Sequence, residues 1–231
     1  MSVSLHVWRV PRRRLGAAFL RMALDPRRVR ALPGVTFAKF LGTGTGVSFG
    51  PFDADLTRFA ALVVSREAVP LPSWDRICSS SAVVDLAPLH SVGTWSGRKP
   101  FAAAPDKPDG LVLALTRARL RPSRALTFWQ AVPPVVAALD RAPGLLARFG
   151  VGEAPIGWQG TVSVWRGAAE LRDFAYRQPE HRAVIDRTPT DNWYAEDLFA
   201  RFAVRGITGD RDLLGWMNEN KNEYEKGRAQ R

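Results

Sequence analysis

The side chains able to hold a metal or attack a substrate are few: three histidines, His6, His90 and His181, and one cysteine, Cys78. A single cysteine cannot close an intrachain disulfide, and one chain cannot build a four-thiolate zinc site or a cysteine-held iron–sulfur cluster from it. The metal chemistry most economical in protein ligands is that of haem, where the macrocycle supplies four nitrogens and the protein one axial donor. His181 has the most suggestive context, Tyr176-Arg-Gln-Pro-Glu-His-Arg-Ala-Val-Ile-Asp186, in which Pro179 permits a helix break just before it. The residues alone leave two readings open there: a neutral imidazole facing an apolar interior, or a partly exposed histidine beside Glu180 and Asp186. His6 and His90 fall on predicted strands and read as structural.

Other chemistries find less support. Gly42-Thr-Gly-Thr-Gly46 lacks the Gly-Lys-Ser/Thr ending of a phosphate-binding loop, and Val47-Ser-Phe-Gly-Pro51 cannot open the helix such a loop feeds. It reads as a glycine-rich turn between paired strands, with a lid over a cavity mouth as the alternative. Gly46-Val-Ser-Phe-Gly50 has the Gly-x-Ser-x-Gly spacing but runs into Pro51 instead of the helix a nucleophile elbow needs, and no strand-linked Gly-x-Gly-x-x-Gly is present. Trp95-Ser-Gly-Arg-Lys-Pro-Phe101 pairs two aromatics with two cations. It is either a packed turn anchored by Trp95 and Phe101, or a loop that sets Arg98 at a cavity mouth as a catalytic polariser or anion partner.

The 33 basic residues outnumber the 22 acidic ones, giving a net charge of +11 in 231 residues. Only Lys39, Lys99, Lys107, Lys221 and Lys226 are lysines, and the arginines are dispersed apart from Arg12-Arg13-Arg14 and Arg27-Arg28. Dispersal, and the lack of an RNA-recognition motif on a predicted strand, make nucleic-acid binding the weaker reading beside attraction of acidic partners or anionic small molecules. With 46% hydrophobic and 24% charged residues, the composition is that of a globular protein. No apolar run approaches the ~18 residues of a membrane span. The first residues lack a signal pattern, which predicts a cytoplasmic location.

Around these residues the hydrophobic periodicity predicts a repeated scaffold. A strand at Val3–Val10, a helix over 12–32, strands at 35–41 and 58–65, a weak Pro-interrupted helix and a strand near 82–94 give βαββαβ. The same order recurs with a strand at 111–119, a helix at 123–141, strands at 145–151 and 160–165, a helix at 168–187 and a strand at 199–206. Ala31-Leu-Pro-Gly-Val-Thr-Phe-Ala-Lys-Phe-Leu-Gly42 also matches Arg141-Ala-Pro-Gly-Leu-Leu-Ala-Arg-Phe-Gly150. The expected fold is α+β: tandem duplicated ferredoxin-like modules at 1–101 and 111–210, joined by a linker at 102–110 and followed by a polar tail at 211–231. Each module leaves one sheet face bare, so the two should pack face to face as an α+β barrel with a ligand cavity between the sheets.

Taken together, the chain resembles the spheroidene monooxygenase family over most of residues 3–206. The stretches that carry the resemblance are Gly34–Gly46, Trp95–Phe101, Leu115–Pro122 with Phe128-Trp129, Gly150–Pro155, Thr161–Trp165, His181–Ile185 and Trp193–Phe202. The resemblance implies haem b, reductive activation of oxygen, and hydroxylation or ketolation of a hydrophobic molecule such as a carotenoid or a secondary metabolite. On the same scaffold it leaves open a haem lyase, dehydratase or peroxidase, with a non-enzymatic nucleic-acid module as a further alternative. It makes His181 the preferred axial ligand. Under it Arg117 and Arg121 pair the haem propionates, Trp193 joins the cofactor site, and Arg98 polarises the distal oxygen. It also implies an acidic ferredoxin as electron donor, a homodimer, and peripheral membrane contact for access to substrate.

Overall fold

The computed structural model describes residues 1–50, 52–102, 110–153 and 158–216. The expected linker, apart from its first and last residues, and most of the tail lie outside these. The elements follow in the order β1 (Ser2–Arg9), α1 (Leu15–Arg30), β2 (Val35–Gly44), β3 (Ala54–Ser65), α2 (Pro72–Asp75) and β4 (Ser80–Gly93). The second half continues with β5 (Val112–Leu120), α3 (Ala125–Asp140), β6 (Leu145–Gly152), β7 (Trp158–Trp165), α4 (Ala168–Arg177), α5 (Pro179–Asp191) and β8 (Tyr194–Gly209). The weak helix expected after β3 is a single turn, α2, which Pro72 opens and which Pro70 bars from starting earlier.

All eight strands form one closed antiparallel barrel in the order β1-β3-β2-β6-β7-β5-β8-β4. Each half contributes four strands in the same order, β4-β1-β3-β2 and β8-β5-β7-β6. The halves meet along the long β4–β8 pairing, Ala82↔Gly209 to Gly93↔Leu198, and along a short seam, Gly42↔Gly152, Thr43↔Val151 and Gly44↔Gly150. At that seam the backbones nearly touch. A Cβ on Gly150 would sit 3.3 Å from the Gly44 Cα, so the glycine-rich loop serves as a close-approach strand pairing. Both halves turn from helix to strand through a Pro-Gly whose glycine has positive φ, Gly34 at 80° and Gly144 at 77°.

Strand alternation sends Val3, Leu5 and Val7, with Leu113, Leu115, Leu198 and Phe202, into the barrel interior. Among the described residues that interior is packed, with a gap of about 10 Å³ among Leu5, Leu41, Leu62 and Trp95. The expected cavity between the sheets is therefore absent, since large side chains from both halves meet there. The polar-tail expectation also fails at its start. Arg211–Leu214 forms a 3₁₀ turn that buries Leu213 and Leu214, and Trp216 bridges to Ala147 of β6, so this segment plugs one end of the barrel. The apolar residues in Leu213-Leu214-Gly215-Trp216 are too few to show a period, which is why the pattern concealed them.

Candidate active site

The large cavity lies outside the barrel, between the outer face of the second half and helices α3, α4 and α5, with a volume of about 710 Å³. Comparison of the halves shows how the sequence makes it. In the first half the outward residues Trp8, Phe40 and Phe59 pack with Trp74 under α1. The register that lays Leu15–Arg30 on Ala125–Asp140 lays Trp8 on Ala118, His6 on Thr116 and Phe40 on Gly150. Ala114, Thr116, Ala118, Gly150, Thr161 and Ser163 thus give the second half a floor without bulk, and Val132, Val135, Val136 and Leu139 of α3 form its apolar roof. Removing several large side chains from one face leaves a space the remaining chain cannot close.

His181 lines this space, and its placement follows from Pro179. Proline disfavours helical backbone at the preceding residue, so α4 ends at Arg177, Gln178 is extended (φ −74°, ψ 117°), and α5 restarts with Pro179 in its first turn. Pro179 also has no N–H to offer the Ala175 carbonyl four residues back. The His181 Nδ1 takes that vacancy, 2.9 Å from Ala175 O. A carbonyl only accepts, so Nδ1 carries the proton and Nε2 keeps its lone pair. Burial lowers the pKa of the ring, outweighing the opposing hydrogen bond, and favours the neutral form. Phe174 packs 4.9 Å from the imidazole and itself rests on Trp165, fixing the plane of the ring. A neutral imidazole with its second nitrogen tied to a carbonyl is the usual arrangement of a metal-ligating histidine.

The other expected site residues lie elsewhere. Arg98 is exposed in a tight turn bridged to Trp95, and it does not line the cavity; Trp95 and Phe101 are instead buried against Phe37 in the barrel. The packed-turn reading of Trp95–Phe101 is the one that the geometry bears out. Arg117 points inward because odd positions of β5 face the barrel. It is 3% exposed, paired to Glu153 at 2.8 Å and to Glu196, and stacked over Trp95, so it is not placed to bind a ligand in the cavity. Burial alone would raise the Glu196 carboxyl, but hydrogen bonds from the Gly97 N–H, Arg117 and Thr94 hold it at about 2. Arg121 is exposed and donates to Asn192 and to the Tyr194 carbonyl. Trp193 is buried behind the wall, in edge contact with the cavity residue Phe128 and donating its indole N–H to Thr127. His6 is buried beside Trp8, with burial lowering its pKa to about 4. His90 reaches the cavity at an exposed edge.

Three polar features of the cavity were missed from sequence. Arg148 lines it, pairs with Asp140 and stacks over Phe49, while its buried Nη1 has no hydrogen-bond partner among the described residues. Thr116 and Thr161, directly paired across β5 and β7, set two hydroxyls into the floor. Tyr194 lies in the wall, and burial pushes its phenol up to about 12, keeping it protonated. The available signal was the contrast in side-chain size between matched positions of the two halves. No group of three His, Cys, Asp or Glu side chains able to hold a metal ion comes together among the described residues.

No protein-family model matches the chain. Among solved structures, an aldoxime dehydratase crystallised with butyraldoxime shares the fold, with a TM-score of 0.52 at 11% identity, covering 88% of this chain and 79% of that one. Among curated proteins, the spheroidene monooxygenase of Rubrivivax gelatinosus is 32% identical over 186 residues, 77% of this chain and 72% of the relative. The spheroidene monooxygenase of Rhodobacter capsulatus is 32% identical over 212 residues, 87% of this chain and 86% of the relative. With that identity sustained across nearly the whole of both chains, this protein is an enzyme belonging to the spheroidene monooxygenase family.

Proposed function

We propose that the cavity binds haem b with His181 Nε2 as the axial donor, and that the enzyme uses it to oxygenate a hydrophobic small molecule. The observation that carries this reading is the His181–Ala175 hydrogen bond, which presents an unprotonated nitrogen on a residue lining a cavity of about 710 Å³. The residues fit the group: a flat floor of small side chains, an apolar roof, and one imidazole in the correct tautomer. When bound, haem supplies the activation of oxygen.

The protein's own contributions follow from the geometry. Ala175 O and Phe174 hold the imidazole against rotation, and the carbonyl raises its basicity as a donor. The valines of α3 exclude water, which strengthens every polar interaction inside. Thr116 and Thr161 offer hydroxyls that hydrogen-bond a polar group on the floor. Arg148, and Arg201 at the far edge, replace Arg117 and Arg121 as the partners for carboxylates of the ligand, because they line the cavity. Arg58 also lines it, but its guanidinium is committed to Thr43, Gly44 and Leu213.

A carotenoid-like or other long apolar molecule suits a predominantly apolar cavity, and an acidic ferredoxin suits the +11 charge. The shared strand order and paired Pro-Gly turns support reading the halves as a tandem duplication of one ferredoxin-like unit. The test of function is turnover with haem, a reductant and ¹⁸O₂ on a panel of apolar polyenes. Label in the product supports the proposal, and turnover of any substrate without oxygen or electrons replaces it with lyase or dehydratase chemistry.

A further inference from the structure

Helix α1 carries an apolar stripe on its solvent side. Phe19, Leu20 and Leu24 are 52%, 59% and 41% exposed, and Ala23 between them is also exposed. Phe19 and Ala23, and Leu20 and Leu24, are four apart and Leu20 and Ala23 three apart, so the two adjacent pairs stack as one face, while Ala18, Asp25 and Val29 form the buried one. Arginines cluster at both ends of the stripe, Arg12, Arg13 and Arg14 before it and Arg27, Arg28 and Arg30 after it, all exposed. Asp25, the one acid between residues 11 and 32, is buried and hydrogen-bonded by Ser73. Arg12, Arg13 and Arg27 make no ion pair among the described residues. An exposed apolar face bracketed by cations and free of exposed carboxylates matches a surface that lies on an anionic bilayer, arginines at the headgroups and Phe19, Leu20 and Leu24 below them.

The stripe adjoins an opening of the cavity. Phe19 and Leu56 both line the cavity and both are more than half exposed, so the cavity reaches the surface beside α1. No helix among the described residues is long and apolar enough to cross a membrane, so the contact expected is a peripheral one. We infer that the outer face of α1 docks this enzyme on anionic lipid, with the Phe19–Leu56 mouth turned toward the acyl region. Docking rests on the surface of α1 alone; its use as a substrate entrance rests on the proposed function.

The test is flotation of the full chain with vesicles of phosphatidylcholine alone and of phosphatidylcholine mixed with phosphatidylglycerol. The wild type should float with the anionic vesicles, and salt should weaken that binding. Leu20→Asp with Leu24→Asp should lower partitioning at least about tenfold. Arg12→Gln, Arg13→Gln and Arg27→Gln together should lower it roughly a hundredfold, and only on anionic lipid. These positions are exposed, so unchanged thermal unfolding shows that each variant is folded. Equal flotation of wild type and variants, or no flotation at all, overturns the inference. So does a wild-type dimer that Leu20→Asp with Leu24→Asp converts to monomer, which would make the stripe a subunit interface. Haem binding is read separately by absorbance, so a failure of docking is distinguishable from a failure of the proposed site.

Discussion

Replacing Ala118 by tryptophan puts into the second half the side chain that Trp8 provides at the matched position of the first. Ala118 is 5% exposed on the cavity floor, whereas Trp8 is fully buried and stacked on Trp74 at 4.8 Å. An indole entering a true cavity buries ~150–250 Å². At ~25 cal/mol/Å² that amounts to an upper bound of about 4–6 kcal/mol. Lost rotamer freedom, imperfect contacts and an N–H in need of a partner reduce the expected gain to about 1–3 kcal/mol. The same change at Ala61, fully buried in the packed outer face of the first half, should cost about 3 kcal/mol by overpacking. Urea midpoints of the ligand-free proteins at constant m-value read the sign. A haem titration should show Ala118→Trp binding about a hundredfold more weakly, as ~3 kcal/mol of steric conflict requires. Destabilisation of Ala118→Trp as large as that of Ala61→Trp would show that no cavity exists there. Stabilisation with unaltered haem binding would show that the ligand sits elsewhere.

Trp8→Ala removes the stack on Trp74 and the indole hydrogen bond to Asp75, and should cost about 3–5 kcal/mol in denaturant melts. Arg117→Met leaves Glu153 and Glu196 facing each other inside the barrel end. It should destabilise by about 3–5 kcal/mol at neutral pH, and much of that loss should be recovered in Glu153→Gln/Glu196→Gln/Arg117→Met. The pH dependence has a defined sign. His6 and His181 have pKa values held below 6.5 by burial, so the unfolded chain takes their protons first, and stability should fall from pH 6.5 downward, for His6 until about 4. Glu196 adds a further loss as pH drops from its ordinary 4.5 toward 2. Stability that rises on acidification through this range would contradict these placements. Gly93→Ala, at φ 90° with its new Cβ overlapping the Asp197 carbonyl, should cost about 1–3 kcal/mol at the end of the β4–β8 pairing.

Much of the scaffold was legible because period-two strands and helices punctuated by Pro-Gly leave clear marks. The α1 and α3 spans and the helix break at Pro179 follow from local rules, whereas Gly42–Gly46, expected as a turn between strands, continues β2 as far as Gly44 and pairs there with β6. What did not follow was which face of a strand looks where. Arg117 and Thr116 are neighbours in sequence, yet one is locked in the barrel with two carboxylates and the other lies on the cavity floor. Only the register of β5 in the closed sheet decides between them. For the same reason the cavity was expected between the sheets, although two sets of large inward residues fill that space. The bulk of Trp8 and Phe40 against Ala118 and Gly150 pointed to an asymmetry of the outer faces. That contrast acquires meaning only once the two halves are aligned. His181 was singled out by context and resemblance, but its tautomer follows from the Ala175 carbonyl that Pro179 leaves unpaired, a contact no sequence pattern displays.

The central claim, that His181 presents Nε2 to a haem in the outer cavity, is tested most directly by absorbance titration of haem into wild type, His181→Ala, and His181→Ala with free imidazole. The account predicts a sharp Soret band saturating at one haem per chain in the wild type, its loss or marked shift in His181→Ala, and its return with imidazole. A His181→Ala spectrum and affinity identical to wild type would contradict it.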